Sequence, residues 1–178
     1  MSIFLFYVLC EIEDNEYHIT GYFSKPKESN NNLSCILVLP FHQRKGYGKF
    51  LITFSYELSM MEGKIGTPEK PLSDLGRETY LSWWTQRVID YIRIHKDEPF
   101  TLQEMGKITG MNEEDTQFTL EQMGMVKFSN NIPHLCVDEE FLNGLYKKVG
   151  KPGKRVLREN IHWIPFKLRW ESNCISNY

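Results

Sequence analysis

The amino-acid sequence predicts a mixed α/β fold of the α+β type, with a core over residues 1–96 and a winged-helix-like region with a basic tail over residues 97–178. Three observations support this prediction. Strand-like runs rich in Phe, Tyr and Val come first, two long helical patterns follow, and two short helices ahead of a hairpin pattern come last. The chain, at 178 residues, is also long enough to bury a hydrophobic core.

The segment before Pro40 is predicted to form strands. Residues 3–11 and 17–23 are rich in aromatic and β-branched side chains, and the polar stretch 24–32 is typical of a loop, so we expect an antiparallel hairpin. Residues 33–39 form a continuous apolar run that stops at Pro40. This pattern is typical of a strand buried on both faces.

Helical spacing of apolar residues predicts two long helices after these strands. The first contains Leu51, Phe54, Leu58 and Met61. A loop with two glycines and two prolines, residues 63–71, precedes a second helix over residues 72–95. Its aromatic residues sit at helical spacing, so they are expected in the core; these are Tyr80, Trp83, Trp84 and Tyr91.

Beyond Thr101 the pattern changes to short elements. Thr101 and Glu104 have the spacing of a capping box at the start of a short helix. Asn112 is placed to cap a further helix over residues 113–123. Residues 126–128 and 135–137 are predicted to pair as a small hairpin, which completes the winged-helix-like pattern.

Composition excludes several classes of protein. The net charge of −2 excludes a strongly basic protein. The four cysteines, Cys10, Cys35, Cys136 and Cys174, match neither a zinc signature nor a compact disulfide framework, so we expect free thiols in a reducing compartment and no metal. The apolar start of the chain is too short for a signal peptide or a membrane span, so no membrane partner is predicted.

A glycine-bearing turn, residues 43–48, joins the third strand to the first long helix. Backbone N–H groups at a helix N-terminus bind anions, and Gly46 and Gly48 would let a ligand approach closely. The two glycines alone could also be a tight turn. The segment is not a dinucleotide fingerprint, because Leu51 occupies the third glycine position, and it lacks the Lys-Ser/Thr ending of a P-loop. The pattern Gln-Arg-x-Gly-x-Gly resembles the pyrophosphate loop of the GNAT-like acetyltransferases.

Longer strings resemble the MYST family of histone acetyltransferases. They are residues 4–8, 21–25, 32–40, 43–49, 54–59, 66–76 and 160–165, and the similarity is densest from Gly21 to Trp84. The resemblance implies a GNAT-like acetyl-CoA-binding core followed by a winged-helix-like module. It also implies transfer of acetyl from acetyl-CoA to lysine side chains in histone tails, with histone H4 or histone 2A as the expected substrate. A nuclear location and subunits of a chromatin-modifying complex as partners are implied as well.

The same resemblance implies roles for individual residues. Cys35 matches the active-site cysteine and Glu69 the general base. The predicted contacts to acetyl-CoA are Ile36, Val38, Gln43, Arg44, Lys45, Gly46, Tyr47, Gly48, Lys49, Ser73 and Ser82. When a carboxylate removes a proton from a lysine ammonium, the lysine nitrogen becomes a nucleophile. Cys35 would either attack first, forming an acetyl-enzyme, or line the site while lysine attacks directly.

Without the resemblance, three of these residues have plainer interpretations. A cysteine in an apolar strand is typical of a core, so Cys35 would be buried. Glu69 would be a solvated surface charge, and Ser73 beside Asp74 would be a helix N-cap. Only the resemblance favours the functional interpretation.

Members of the family normally carry a zinc finger, additional strands and a lysine linked to autoacetylation ahead of the matched region. We therefore expect a chain that starts within the domain, either as a fragment or as a reduced protein that depends on a partner. A second hypothesis follows, a non-catalytic chromatin module. The presence of Cys35, Glu69 and residues 43–48 favours the enzyme.

Charge is distributed unevenly over the last third of the chain. Residues 101–143 contain two basic and eight acidic side chains, so they are expected to repel DNA. Residues 144–170 contain eight basic side chains and the single acid Glu159. Such a run is often only a solvated surface. The functional alternative is a basic strip that contacts DNA or an acidic partner, and we predict a sequence-independent DNA contact through residues 147–158.

Overall fold

A computed structural model describes residues 3–96, 98–129, 132–135, 138–148 and 154–165. The architecture is mixed α/β, as the sequence predicts. The strands are β1 (Phe4–Glu13), β2 (Glu16–Pro26), β3 (Asn31–Leu33), β4 (Ile36–Val38), β5 (Thr67–Pro68), β6 (Val126–Ser129) and β7 (Ile132–Leu135). The helices are α1 (Tyr47–Met61), α2 (Asp74–His95), α3 (Leu102–Thr109), α4 (Glu113–Gln122) and α5 (Glu139–Lys148), with 3-10 turns at Pro40–His42 and Arg158–Asn160.

The first two strands form the predicted antiparallel hairpin. Its tight turn places Asp14 and Asn15 at positive φ, which short polar side chains tolerate better than most. β2 continues to Pro26, beyond the predicted strand end, because its last residues still pair with Phe4 and Leu5. β4 pairs antiparallel with the other edge of β2, so the strand order is β1-β2-β4.

The predicted single strand over residues 33–39 is wrong. The chain forms two strands there, with β3 pairing in parallel with β5 and β4 pairing with β2. The run is not buried on both faces either, since Leu37 is 43% exposed. The apolar run does not reveal the break between the two strands, because its first residues pair with β5 and its later residues pair with β2.

The two long helices carry the main core. The aromatic residues of α2 are buried as predicted, and Trp84 Nε1 donates a hydrogen bond to the buried Tyr56 hydroxyl at 2.9 Å. The Tyr56 and Trp83 rings stack at 4.3 Å between centroids. A second cluster lies under the sheet and contains Phe23, Leu33, Leu51 and Leu58.

The short C-terminal elements pack on the same core, which includes Met105, Leu120 and Leu142. The capping box at Thr101 and the N-cap at Asn112 are both confirmed. The small hairpin forms as β6 and β7, although the predicted residues 136 and 137 and two of the cysteines, Cys136 and Cys174, lie outside the described residues. Helix α5 is not among the predicted elements, and its first residues, Glu139 and Glu140, belong to the acidic stretch. The division near residue 96 and the winged-helix assignment stay predictions.

A buried ion pair ties β2 to the end of α1. The Lys25 side chain is only 2% exposed, with its Nζ 3.0 Å from Ser59 Oγ and 3.4 Å from Glu62 Oε2. Burial lowers the pKa of Lys25, and the nearby Glu62 carboxylate opposes that shift. The lysine thus depends on Glu62 for its charged form.

We expect Glu62→Gln to lower the free energy of unfolding by about 3 kcal/mol, because it leaves a buried ammonium without its counter-charge. Lys25→Met should stay within about 1 kcal/mol of the wild type, because the Glu62 carboxylate keeps a counter-charge in Lys64, whose Nζ lies 3.2 Å from Glu62 Oε2. Urea unfolding monitored by tryptophan fluorescence measures both. A Glu62→Gln variant as stable as the wild type would show that the pair does not contribute to stability.

Candidate functional site

The parallel pairing of β3 and β5 brings the two predicted catalytic residues to one place. Leu33 aligns with Pro68, and the Glu69 N–H donates a hydrogen bond to the Leu33 carbonyl at 2.9 Å. The Ser34 hydroxyl donates a hydrogen bond to Glu69 Oε2. The Glu69 carboxylate is therefore held beside Ser34, and Cys35 is the next residue of the chain.

Cys35 is exposed, so its interpretation as a core residue is wrong. Its backbone is nevertheless fixed at both ends by Ser24. The Cys35 N–H donates to Ser24 Oγ at 3.1 Å, and the Cys35 carbonyl accepts the Ser24 N–H at 2.9 Å. An apolar strand thus presents a thiol to solvent because β2 takes up its backbone groups, and Glu69 is exposed next to it.

β4 runs directly from Cys35 and, within the described residues, pairs with another strand only along the edge that faces β2. Both Cys35 and Leu39 direct their backbone groups to β2. Because backbone direction alternates along a strand, the N–H groups of Ile36 and Val38 point to the opposite edge. In the part of the chain that the structure describes, β4 is an edge strand, and the Val38 carbonyl on that edge accepts Gln43 Nε2 at 3.1 Å.

The glycine-bearing turn leads into α1 as predicted, with a short 3-10 turn in between. Gly46 is the N-cap of α1 and has φ of 88°, a left-handed conformation that glycine adopts without strain. Arg44 also has positive φ, at 60°. The backbone N–H groups of the first helical turn have no carbonyl partner within the helix, so they are available to an anion.

A cleft of about 110 Å³ joins β4 to the N-terminal ends of α1 and α2. It contains five of the predicted ligand contacts, namely Ile36, Val38, Gln43, Gly48 and Ser73. Its other lining residues are Leu37, Ile52, Leu75, Gly76 and Thr79. Sequence reasoning missed these five, although the three-residue spacing of Ser73, Gly76 and Thr79 places them along one side of α2.

Other predicted contacts do not line this cleft. The Tyr47 ring is buried, with Lys154 Nζ 4.8 Å from its centroid and the His42 ring edge-on at 6.0 Å. Lys49 lines a separate polar pocket between α1 and α2, where burial lowers the pKa of its ammonium. Ser82 lines a third pocket on α2. Arg44 and Lys45 are exposed beside the turn.

Ser73 has the structural role predicted from its neighbours. Its hydroxyl accepts the Gly76 N–H at 3.1 Å and so caps α2. The side chain also lines the cleft, so one residue both ends the loop and contributes a polar group to the site.

Residues 3–96, 98–129, 132–135, 138–148 and 154–165 contain neither a cluster suited to a metal ion nor a helix suited to span a membrane. No group of three or more His, Cys, Asp or Glu side chains there is arranged to hold a metal ion. None of the described helices is long and apolar enough to cross a membrane.

The chain matches the MOZ/SAS family over residues 1–161. It is 44% identical over 169 residues to "Histone acetyltransferase of the MYST family 2" of Arabidopsis thaliana, covering 94% of this chain and 38% of that protein. It is 49% identical over 140 residues to "Histone acetyltransferase MOF" of Drosophila melanogaster, covering 77% of this chain and 17% of that protein. The chain thus spans less than two-fifths of the length of these relatives.

Gly48 offers a direct test of the cleft. A Cβ added there would lie 3.4 Å from Thr79 Cγ2, an ordinary contact, so the protein itself tolerates a side chain. The branches of Gly48→Val would fill the cleft instead. We expect the variant to fold normally and to bind acetyl-CoA at least tenfold more weakly, as measured by calorimetry.

The matched control is Gly144→Val, because a Cβ at this glycine of α5 meets no atom within 4 Å. It should leave the affinity for acetyl-CoA unchanged. A Gly48→Val protein that binds normally, or that unfolds where the Gly144 variant does not, would contradict the assignment.

Proposed function

The chain belongs to the MOZ/SAS family, and on that premise we propose that it transfers the acetyl group of acetyl-CoA to lysine side chains of histones. The observation that carries the proposal is the position of the Ser34–Cys35 step and Glu69, which are joined through the Ser34–Glu69 hydrogen bond at the start of β4, a wall of the cleft. A cleft for the donor and a carboxylate beside it are what acetyl transfer to an amine requires.

The cleft offers acetyl-CoA a complementary surface. In the proposed complex the pyrophosphate binds the N-terminal turn of α1, where N–H groups and the positive end of the helix dipole favour an anion. Gly48 lets the backbone approach it. The outward N–H groups of Ile36 and Val38 then face the pantetheine arm and the thioester, and Ser73 provides a hydroxyl on the opposite wall.

In the proposed reaction Glu69 acts as the general base. The carboxylate removes a proton from the substrate ammonium, and the neutral Nζ attacks the thioester carbonyl. A C–N bond forms, the C–S bond breaks, and the coenzyme leaves as a thiolate that takes up a proton. An outward N–H of β4 donates a hydrogen bond to the transient oxyanion.

Cys35 defines two routes through the same site. In the first route the Cys35 sulfur attacks the acetyl carbonyl, the C–S bond to CoA breaks, and the proton of the cysteine thiol passes to the leaving coenzyme, so that a thioester forms on the protein. Lysine then attacks this thioester and displaces the cysteine as a thiol. In the second route lysine attacks acetyl-CoA directly and Cys35 only borders the path. Both routes need Glu69 to deprotonate the lysine.

Glu69→Gln is expected to lower turnover by about 10²–10⁴-fold at neutral pH on a histone H4 tail peptide, since an amide cannot accept the proton. The affinity for acetyl-CoA in calorimetry should change less than twofold, because Glu69 does not line the cleft. Cys35→Ala should abolish turnover if an acetyl-enzyme forms and leave it largely intact if transfer is direct.

The exposed acid Glu28, on the loop after β2, is the matched control, and Glu28→Gln should behave as the wild type. Equal turnover in the Glu69→Gln variant and the wild type would refute the role of Glu69. A wild-type chain that binds acetyl-CoA but transfers nothing would favour the non-catalytic chromatin module.

We propose the finer fold assignment together with the function. Residues 1–96 form the GNAT-like core and residues 97–178 the winged-helix-like region. The proposed place of action is the nucleus, and the proposed partners include subunits of a chromatin-modifying complex. Support for a histone substrate comes from the relatives, which are named histone acetyltransferases.

Non-specific DNA contact through residues 147–158 is a second proposal. Lys147 and Lys148 form the basic last turn of α5, and Arg155 and Arg158 are exposed. Lys154 instead packs over Tyr47 and lies 3.9 Å from Glu11, so it is less available to DNA. Lys151 lies outside the described residues. The first turn of α4 carries three acids, which opposes DNA binding by that helix.

Reversing Lys147 and Lys148 to Glu should weaken binding to a DNA duplex of random sequence and reduce its salt dependence, because fewer counterions are released. Fluorescence anisotropy at two salt concentrations measures both effects, while peptide acetylation should persist. Lys107→Glu with Lys127→Glu is the matched control, with the same change of charge on the acidic segment. If DNA binding falls in the control variant instead, the proposed contact through residues 147–158 is wrong.

A further inference from the structure

We infer that Asp115 on α4 is a positioning residue that fixes the loop bearing Glu69. This inference rests on the proposed function, in which Glu69 is the base. Nothing in the sequence motif around Glu69 includes Asp115, which lies 46 residues further along the chain.

The Asp115 carboxylate binds the loop on both sides of Glu69. Its Oδ2 accepts a hydrogen bond from the Thr67 hydroxyl at 2.7 Å, and its Oδ1 lies 3.0 Å from Lys70 Nζ. Thr67 is two residues before Glu69 and Lys70 is the residue after it. Each oxygen of one carboxylate thus holds one flank of the proposed base.

Asp115 is itself immobilised. Its side chain is only 2% exposed, and its N–H donates to Asn112 Oδ1 at 2.7 Å. It lies in the first turn of α4, where the helix dipole favours a negative charge. Buried Thr119 donates to the Asp115 carbonyl at 2.6 Å, so the carboxylate projects from a fixed backbone.

The turn between α3 and α4 supports the same loop through the backbone. The Gly66 N–H donates to the Gly110 carbonyl at 2.8 Å, and Gly66 forms an isolated bridge with Met111. On the other side, the Glu69 N–H bonds to Leu33. The loop is therefore held between β3 and the α3–α4 turn, and the Asp115 side chain closes this clamp next to Glu69.

The charge of Asp115 has a specific consequence for Lys70. A buried carboxylate is costly unless it is paired, and Lys70 supplies the counter-charge. The pair draws the lysine ammonium toward α4 rather than toward the adjacent Glu69. Glu114 is also 3.9 Å from Lys70, but its side chain is 84% exposed, so it contributes little to that hold.

The test compares Asp115→Asn with Glu114→Gln, two neutralising changes in the same helical turn. We expect Asp115→Asn to lower kcat about 10–100-fold through misplacement of Glu69. The KM and calorimetric Kd for acetyl-CoA should stay within twofold, because Asp115 does not line the cleft. Hydrogen exchange of the Glu69 amide should accelerate. Glu114→Gln should change none of these quantities.

Two further variants keep the test decisive if Asp115→Asn does not fold. Thr67→Val and Lys70→Met each remove one arm of the clamp, and each should lower kcat at constant Kd. Combining either with Asp115→Asn should add less than the product of the single effects.

The outcomes separate the inference from the proposed function. Unchanged kcat in Thr67→Val and Lys70→Met, or unchanged exchange of the Glu69 amide, would overturn the clamp. A loss of kcat that comes with an equal loss of acetyl-CoA affinity would show a general structural role and also overturn it. If the wild-type chain transfers no acetyl group, the proposed function fails, and amide exchange alone then decides whether Asp115 fixes the loop.

Discussion

The structure depends most on the parallel pairing of β3 with β5, two short strands that pair over only a few residues. This pairing closes a loop of more than thirty residues that contains β4 and the whole of α1, so it must offset a considerable loss of chain entropy. Buried polar contacts nearby help to offset this loss of entropy. Asn32, fully buried on β3, donates a hydrogen bond to Ser55 Oγ of α1 at 2.7 Å. Gly66 packs closely against Asn32, since a Cβ added at Gly66 would lie 3.0 Å from the Asn32 Cβ.

The functional geometry follows from where β3 ends. After Leu33 the chain leaves β5 and joins β2, and the step at Ser34–Cys35 stands open to solvent with Glu69 beside it. β4 continues from that step as one wall of the cleft, and its outward N–H groups face the ends of α1 and α2. The cleft proposed to bind the acetyl donor and the proposed base are thus both consequences of a single change of strand partner.

Local features of the fold could be predicted from the sequence because short-range chemistry determines them. The caps at Thr101 and Asn112 are examples, since each requires only residues within one turn. Composition could not reveal the break after Leu33 or the exposure of Cys35, because both depend on partners elsewhere in the chain. The contact between Thr67 and Asp115 spans 48 residues and has no local signal at all. The resemblance singled out Cys35 and Glu69, but only the structure shows Ser34 joining them.

The most direct measurement is a crystal structure of the chain with a bisubstrate analogue, in which the sulfur of CoA is linked to the Nζ of a lysine peptide. We expect the pyrophosphate to contact the first turn of α1 and the pantetheine to follow β4 between Ile36 and Val38. The lysine nitrogen should lie within about 3.2 Å of the Glu69 carboxylate or be joined to it through one water. A ligand seated in the pocket of Lys49 and Arg87, or a lysine nitrogen remote from Glu69, would contradict this prediction.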